Sequence, residues 1–162
     1  MLKPRIVTIG VYGYEEEEFF TALANARIDL FCDVRRRRGV RGARYAFANS
    51  QRLQARLAEM GIRYLHRQDL APDNDIRQAQ YAVDKSQKVA KRQREVLSPE
   101  FITAYGERVL SSFDSRAFVE SLPADTQVLA LFCVERAPEA CHRLLLAEKL
   151  AQDLGLELEH IR

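Results

Sequence analysis

Short runs of apolar residues alternate along the chain with segments in which apolar residues recur every three or four positions. The runs at 5–10, 28–35, 62–66 and 128–135 predict buried strands, and a last strand is predicted at 156–161. Strands that are apolar on both faces are typical of parallel sheets covered by helices. The pattern therefore predicts an α/β fold with a mostly parallel sheet of about five strands, with the run at 128–135 in its centre.

The segments between these strands have helical periodicity. One helix opens at the carboxylates of residues 15–18, which complement the positive end of a helix dipole, and another covers about 50–61. The stretch 77–97 is predicted as one long, weakly amphipathic helix. Pro99 indicates a further helix start. The last helix is predicted from about Glu139 to Leu154.

The length of 162 residues suits one well-filled core, so we predict a single domain over 1–162. No apolar run is long enough to span a bilayer, and the first residues lack the plan of a secretory signal. The three cysteines are an odd number without an export signal, which predicts free thiols. We expect a cytoplasmic protein that is not associated with a membrane.

The net charge of +2 conceals an uneven distribution. Residues 35–94 contain 16 Lys and Arg against 5 Asp and Glu, a net charge of +11, and the rest of the chain carries −9. A basic middle favours an anionic partner, either a small molecule or a nucleic acid. The alternative is that the two parts neutralise each other across the fold. Nothing in the sequence indicates an oligomeric state.

Polar residues follow several of the predicted strands. In a parallel α/β sheet, ligands bind outside the carboxyl ends of the strands. The candidates at that edge are Thr8, Gly10, Asp33, Arg35, Cys133 and Glu135, followed by Cys141, His142 and Arg143. Because these residues come from distant parts of the chain and converge on one edge, we predict a single site there.

Cys141 is the candidate nucleophile, because a helix N-terminus stabilises a thiolate and the next two residues, His142 and Arg143, add positive charge. The alternative is a small residue that packs at the helix start. If the helix begins near Glu139, its apolar face consists of Ala140, Leu144, Ala147 and Ala151. Arg143 then borders the sheet edge and His142 points away from it. Arg143 is therefore the better candidate for the site, where it either holds an anion or pairs with Glu135 or Asp33. His142 acts as the base for Cys141 only if the helix starts later.

Acids and arginines supply the other candidate roles. Glu135 or Asp33 would transfer protons, and Arg35 would bind an anion with Asp33 orienting it. The alternative for the latter two is an ion pair that fixes the loop. Arg36 and Arg38 extend the positive field in an arginine-rich loop that also contains aromatic residues. This loop either holds phosphates while a ring stacks on a base, or is simply solvated.

The remaining cysteines are expected in the core. Cys32 lies inside a predicted strand, and Cys133 does so too unless its strand ends before it. Cys133, Cys141 and His142 are residue types that bind zinc, but they lack the close ligand pairs of structural zinc sites and a fourth ligand. We therefore predict no metal and no other cofactor.

Several of these segments resemble the domain of unknown function 488 family over nearly the whole chain. The resemblance rests on residues 8–10, 33–35, Phe47, Leu53, Leu57, 61–64, 131–135, Pro138 and 141–143. Its most specific part is the spacing of Cys-Val-Glu at 133–135 from Cys-His-Arg at 141–143. The resemblance implies a Rossmann-like three-layer sandwich and a site built from these motifs, but no reaction. Family members often have a histidine where this chain has Val11, so no role of that histidine is carried over.

Three functions are compatible with these residues. The first is a cysteine-dependent enzyme acting on an anionic, nucleotide-like or nucleic-acid-like substrate. The second is a non-catalytic module that binds nucleic acid or a nucleotide through the basic middle of the chain. The third, least favoured, is a rhodanese-like sulfurtransferase, which shares the Asp-x-Arg pattern of 33–35. The residues after Cys141 do not suit the cradle of backbone N–H groups that such an enzyme requires. The sequence leaves open whether the protein is catalytic.

Overall fold

A five-stranded, fully parallel sheet forms the centre of the computed structural model, which describes residues 3–90 and 93–162. Its strands are β1 (Arg5–Ile9), β2 (Leu30–Asp33), β3 (Arg63–His66), β4 (Val128–Phe132) and β5 (Leu158–His160), in the spatial order β3-β2-β4-β1-β5. The predicted α/β fold and the central position of β4 are confirmed. All five residues of β4 are buried, as its apolar sequence predicts.

Six α-helices accompany the strands in the described residues: α1 (Glu16–Asn25), α2 (Ser50–Glu59), α3 (Asn74–Ser86), α4 (Pro99–Arg108), α5 (Ser115–Ser121) and α6 (His142–Leu154). The chain runs from β1 through β2 to one sheet edge, and then returns through β4 to β5 at the other. Because parallel crossovers are right-handed, this reversal places α1 and α2 on one face, and α5 and α6 on the other. None of these helices is both long and apolar enough to cross a membrane.

Aromatic rings fill the core on the side of α1. Phe19 packs against Phe31, Phe47 and Phe132 with ring centroids 5.5–6.5 Å apart, and Phe31 and Phe132 are 4.9 Å apart. Cys32 is fully buried in β2, as predicted, and its burial raises the pKa of the thiol to about 12. Cys32 is therefore a core residue that remains protonated.

The helix predicted over 77–97 is wrong at its C-terminal end, because α3 stops at Ser86. Lys88 has a positive φ of 57°. Its N–H donates to the carbonyl of Lys85, and the N–H of Val89 donates to the backbone carbonyl of Asp84. These bonds form a Schellman motif, which closes a helix. The motif usually contains a glycine. Because Lys88 stands in the place of that glycine, the sequence pattern did not indicate the end of the helix. Residues 91–92 of the predicted helix lie outside the described residues.

Helix α6 begins at His142, three residues after its predicted start. Pro138–Ala140 form a short 3-10 turn, and Cys141 follows in an extended conformation (φ −140°, ψ 145°). The sulfur of Cys141 accepts the N–H of Arg143 and thereby takes the N-cap position. The buried face of the helix consists of His142, Arg143, Leu146, Ala147 and Leu150. The prediction that His142 points away from the sheet edge is therefore wrong, since its side chain is only 5% exposed.

Candidate functional site

A cavity of about 590 Å³ opens at the carboxyl ends of β2 and β4. The connection after β2 leads to one edge of the sheet and the connection after β4 leads to the other, so a crevice forms between them. A further wall comes from α3 and from four residues that follow it, Ala90, Arg94, Leu97 and Phe101. A cavity of this volume accommodates a nucleotide-sized molecule.

Cys133, Cys141 and His142 lie together at the cavity wall formed by β4 and α6. One sulfur or ring nitrogen atom of each residue lies within 4.8 Å of the others. Cys133 directly follows β4, so it lines the cavity instead of remaining inside the strand. Cys133 is therefore a core residue, as expected, and it also faces the cavity because its strand ends before it. It is buried, at 6% exposure, but belongs to the site.

Three groups surround the sulfur of Cys141. The N–H of Arg143 donates to it over 3.5 Å, and Nδ1 of His142 lies 3.8 Å away. The thiol of Cys133 is the third group. Its hydrogen bond to Cys141, together with burial, raises the pKa of Cys133 well above the ordinary value. Cys133 therefore remains protonated, with its sulfur within 4.8 Å of the Cys141 sulfur.

The ring of His142 is oriented by groups on both of its sides. Its Nε2 lies 2.9 Å from the carbonyl oxygen of Val34, which can only accept a hydrogen bond. We therefore assign the proton to Nε2, which leaves a lone pair on Nδ1 facing Cys141. The ring of Tyr105 packs edge-on with centroids 5.5 Å apart. His142 is thus placed to accept the thiol proton of Cys141.

Arg143 has a structural position. Its side chain is fully buried and does not line the cavity. Its Nη1 donates to the carbonyl of Glu135 over 2.6 Å, and its Nη2 to that of Arg136 over 3.2 Å. Arg143 therefore holds the loop after β4. The expected order of the two residues is reversed: His142 lines the cavity, and Arg143 supports it from behind.

Asp33 and Arg35 form a buried ion pair at the end of β2. The guanidinium donates to both carboxylate oxygens, over 2.9 and 2.7 Å, and also to the carbonyl of Ala48 over 2.9 Å. The hydroxyl of Tyr64 donates a hydrogen bond to Asp33 over 2.6 Å. Burial of this hydroxyl, together with the bond to Asp33, raises the pKa of Tyr64 to about 12. Of the two sequence alternatives, the geometry is that of an ion pair that fixes the loop. Asp33 lies outside the cavity lining, whereas Arg35 is part of it.

Thr8 and Gly10 lie at the same sheet edge but do not line the cavity. The Thr8 hydroxyl is 2.6 Å from Nδ1 of His160. A Cβ atom at Gly10 would lie 1.8 Å from the carbonyl oxygen of Glu135. Gly10 therefore allows the chain after β1 to approach the chain after β4, and this close approach accounts for the glycine.

Arginines surround the cavity away from the cysteines. Arg36, Arg37 and Arg41 come from the loop after β2, and Arg77 comes from α3. Arg38 lies outside the lining. The lining also contains three aromatic rings, those of Tyr12, Tyr81 and Phe101. These side chains make the cavity positively charged and partly aromatic.

Sequence reasoning missed the wall that α3 contributes. Arg77, Gln80 and Tyr81 line the cavity from this helix, and Arg77 donates to the Tyr81 hydroxyl over 3.1 Å. Gln80 and Asp84 are buried, and the amide of Gln80 donates to Asp84 over 2.8 Å. The spacing of 77, 80, 81 and 84 places these polar residues on one helix face. This spacing was the sequence signal that could have indicated a polar, buried face of α3.

A buried arginine joins this wall to the cysteines. Arg94 donates to Asp84 over 2.7 Å and to the carbonyl of Ala140 over 3.2 Å. Its Nη1 lies 3.5 Å from Oε1 of Glu135, which lines the cavity. Glu135, one of the two acids predicted to transfer protons, therefore lines the cavity beside the guanidinium of Arg94. Because Ala140 precedes Cys141, Arg94 also supports the start of α6.

The chemistry of the arrangement follows from these contacts. A sulfur with hydrogen-bond donors and a proton acceptor beside it has the surroundings of a nucleophile. Positive side chains in the same cavity favour an anionic ligand.

The comparisons with known proteins agree with the resemblance seen in the sequence. The family model described as "Domain of unknown function DUF488" matches residues 15–150. This range contains every residue that lines the cavity except Tyr12, and so includes both of its cysteines and His142. No curated protein and no solved structure matches the chain significantly. Because the family match covers most of the sequence, the chain belongs to the DUF488 family.

Proposed function

We propose that the protein is a cysteine-dependent enzyme that acts on an anionic, nucleotide-like substrate, with Cys141 as its nucleophile. The observation that carries this proposal is the environment of the Cys141 sulfur at the cavity wall. It accepts the Arg143 N–H, lies 3.8 Å from the unprotonated nitrogen of His142, and has the Cys133 thiol within 4.8 Å. The three reduced cysteines also suit a reducing compartment such as the cytoplasm.

The reaction that we assign to this site has two steps. First, Nδ1 of His142 accepts the thiol proton and the sulfur attacks an electrophilic carbon of the substrate, while the leaving group departs with the proton from His142. Second, water attacks the same carbon and the bond to sulfur breaks. Glu135 accepts the proton of this water, and the proton then returns to Cys141 to restore the thiol. His142 and Glu135 thus move the protons in separate steps.

The charge of the cavity supports the choice of substrate class. Arg36, Arg37, Arg41 and Arg77 line it, and none of them is buried. Tyr12 and Tyr81 offer rings on which a base can stack. We therefore assign phosphate binding to these arginines. Arg35 has a different role, because its donors already hold Asp33 and Ala48.

The exposure of Arg36 and Arg37 also favours a second candidate, a non-catalytic module that binds nucleic acid. The two candidates differ in what Cys141→Ala does. This change abolishes turnover in the enzyme but leaves binding intact in the module. The rhodanese-like alternative finds little support, since one backbone N–H, that of Arg143, is described as a donor to the sulfur.

We expect iodoacetamide to alkylate Cys141 in the native, metal-free protein about 100-fold faster than Cys32. Cys141, unlike Cys32, lines a cavity and has a proton acceptor beside it. His142→Asn should slow the reaction of Cys141 about 100-fold and leave Cys32 unchanged. Mass spectrometry of digested protein measures both rates in one sample, with Cys32 as the internal control. The nucleophile proposal is wrong if Cys141 reacts no faster than Cys32.

We expect pyrophosphate and ATP to protect Cys141 against this alkylation, with a protection that weakens as salt is added. Arg36→Ala removes a cation from the cavity and should raise the concentration needed for half-protection about tenfold. Arg116→Ala removes the same charge from the exposed surface of α5 and serves as the matched control. Equal protection in the two variants would contradict the assignment of the anion to the cavity.

A further inference from the structure

The cluster of Cys133, Cys141 and His142 has the composition of a site for a thiophilic cation. In tetrahedral zinc sites, with bonds of about 2.0–2.3 Å, the ligand atoms lie about 3.5–3.8 Å from one another. Sγ of Cys141 and Nδ1 of His142 are already 3.8 Å apart, and all three ligand atoms fall within 4.8 Å. Small side-chain rotations are therefore sufficient to bring them around one ion.

The orientation of His142 matches that of a metal ligand. Histidines that bind metals almost always donate their other ring N–H to a carbonyl or a carboxylate, which fixes the ring before the ion arrives. Nε2 of His142 lies 2.9 Å from the carbonyl oxygen of Val34, and Nδ1 lies 3.8 Å from the sulfur of Cys141. The second contact of the ring is therefore made by the fold itself, independently of any ion.

The number of ligands and the charge balance also fit zinc. Among the described residues the cluster has three members, and all three line the cavity. Three protein ligands with one open position are the arrangement of accessible zinc sites, in contrast to the four ligands of structural ones. Two thiolates neutralise a divalent ion, so the arginines of the cavity do not oppose its binding. The fourth position is available to water or to an anion from the cavity.

We propose that Cys133, Cys141 and His142 bind Zn²⁺, and that the bound ion reversibly blocks Cys141. Binding releases the two thiol protons to solvent and forms two Zn–S bonds and one Zn–N bond, with water as the fourth ligand. The ion then occupies the sulfur and nitrogen lone pairs that the nucleophile and its proton acceptor use. The metal site stands on its own geometry, and the blocking rests on the function proposed above for Cys141.

Cobalt is the probe for the metal site, because Co²⁺ bound by thiolates absorbs light in the near ultraviolet. The protein is first reduced, treated with chelator and kept under anaerobic conditions. We expect added Co²⁺ to give this sulfur-to-cobalt band at one ion per chain. Zn²⁺ should displace the cobalt and abolish the band. Cys133→Ala and His142→Asn should each weaken Co²⁺ binding more than about 100-fold, since each removes one of three ligands. Cys32→Ala, which removes a core thiol, should leave the band unchanged.

Alkylation of Cys141 separates the metal site from the proposed function. One equivalent of Zn²⁺ should stop the alkylation, and EDTA should restore it. Absence of the cobalt band, or a band that persists in both Cys133→Ala and His142→Asn, overturns the metal site, whatever the reactivity of Cys141. Undiminished alkylation with zinc bound overturns the blocking. A cobalt band in a protein whose Cys141 is unreactive without metal supports the site and overturns the nucleophile. If Cys133→Ala fails to fold, the His142→Asn variant and the displacement of cobalt by zinc still test whether the metal site exists.

Discussion

Replacing Asp33 by alanine is expected to lower the free energy of unfolding by about 3–5 kcal/mol. Arg35 is 3% exposed, and Asp33 accepts two bonds from its guanidinium and a further one from its backbone N–H. Without the carboxylate, the buried guanidinium keeps the carbonyl of Ala48 and the ring of Phe132 but has no counter-charge from Asp33, and the Tyr64 hydroxyl loses its acceptor. The desolvation of that charge is then uncompensated, which is the physical reason for the large effect.

Urea unfolding followed by circular dichroism measures this change. Asp125→Ala is the matched control, because it removes an exposed carboxylate that accepts a bond from Arg63 over 2.8 Å. Its loss of stability should be much smaller, since water solvates both partners of an exposed pair. Equal losses in the two variants would mean that the Asp33–Arg35 pair does not stabilise the fold. Asp33→Asn keeps one acceptor and should fall between the two.

The centre of the fold was predictable because β1, β2 and β4 are buried on both faces. The continuous apolar run at 128–135 indicated a central strand, and β4 is indeed paired on both sides. The end of α3 was not predictable in the same way. Its closing motif depends on a positive φ at Lys88, a conformation that the residue type does not announce.

Part of the cavity lining was predictable, but the orientation of its residues was not. Reading each strand to its carboxyl end placed Cys133, Glu135 and Cys141 at one edge, and all three line the cavity. The face of α6 was misjudged because four consecutive apolar residues, 144–147, offer an apolar stripe in more than one direction. The fold buries the stripe of Leu146 and Leu150, four and eight residues after His142, and so turns the imidazole inwards.

The α3 wall escaped prediction for a different reason. Hydrophobic periodicity finds buried faces only when they are apolar. Gln80 and Asp84 are buried polar residues, and they satisfy each other, Arg94 and the backbone N–H of Ser98. Such partners come from segments distant in sequence, so the pairing emerges only when the chain is folded. This network is also the part of the site that an experiment can remove without touching a cysteine.

Replacing Arg94 by methionine is expected to destabilise the fold by about 3–5 kcal/mol. Arg94 is 7% exposed, and its guanidinium is the cation between Asp84 and Glu135, both of which are 6% exposed. Without it, two buried carboxylates lose their shared counter-charge, and the carbonyl of Ala140 loses a donor. Methionine retains most of the side-chain volume, so the loss reports mainly the charge and its hydrogen bonds.

A double-mutant cycle with Asp84→Asn tests this explanation. Neutralising Asp84 removes one of the two carboxylates that face the missing guanidinium, so the combined loss in the double variant should be smaller than the sum of the single losses. Arg108→Met is the matched control, since it makes the same substitution in an exposed pair with Asp73 and should cost much less. Additive losses at Arg94 and Asp84 would contradict the network. Because the carbonyl held by Arg94 precedes Cys141, Arg94→Met should also slow alkylation of Cys141 in the folded protein, whereas Arg108→Met should not.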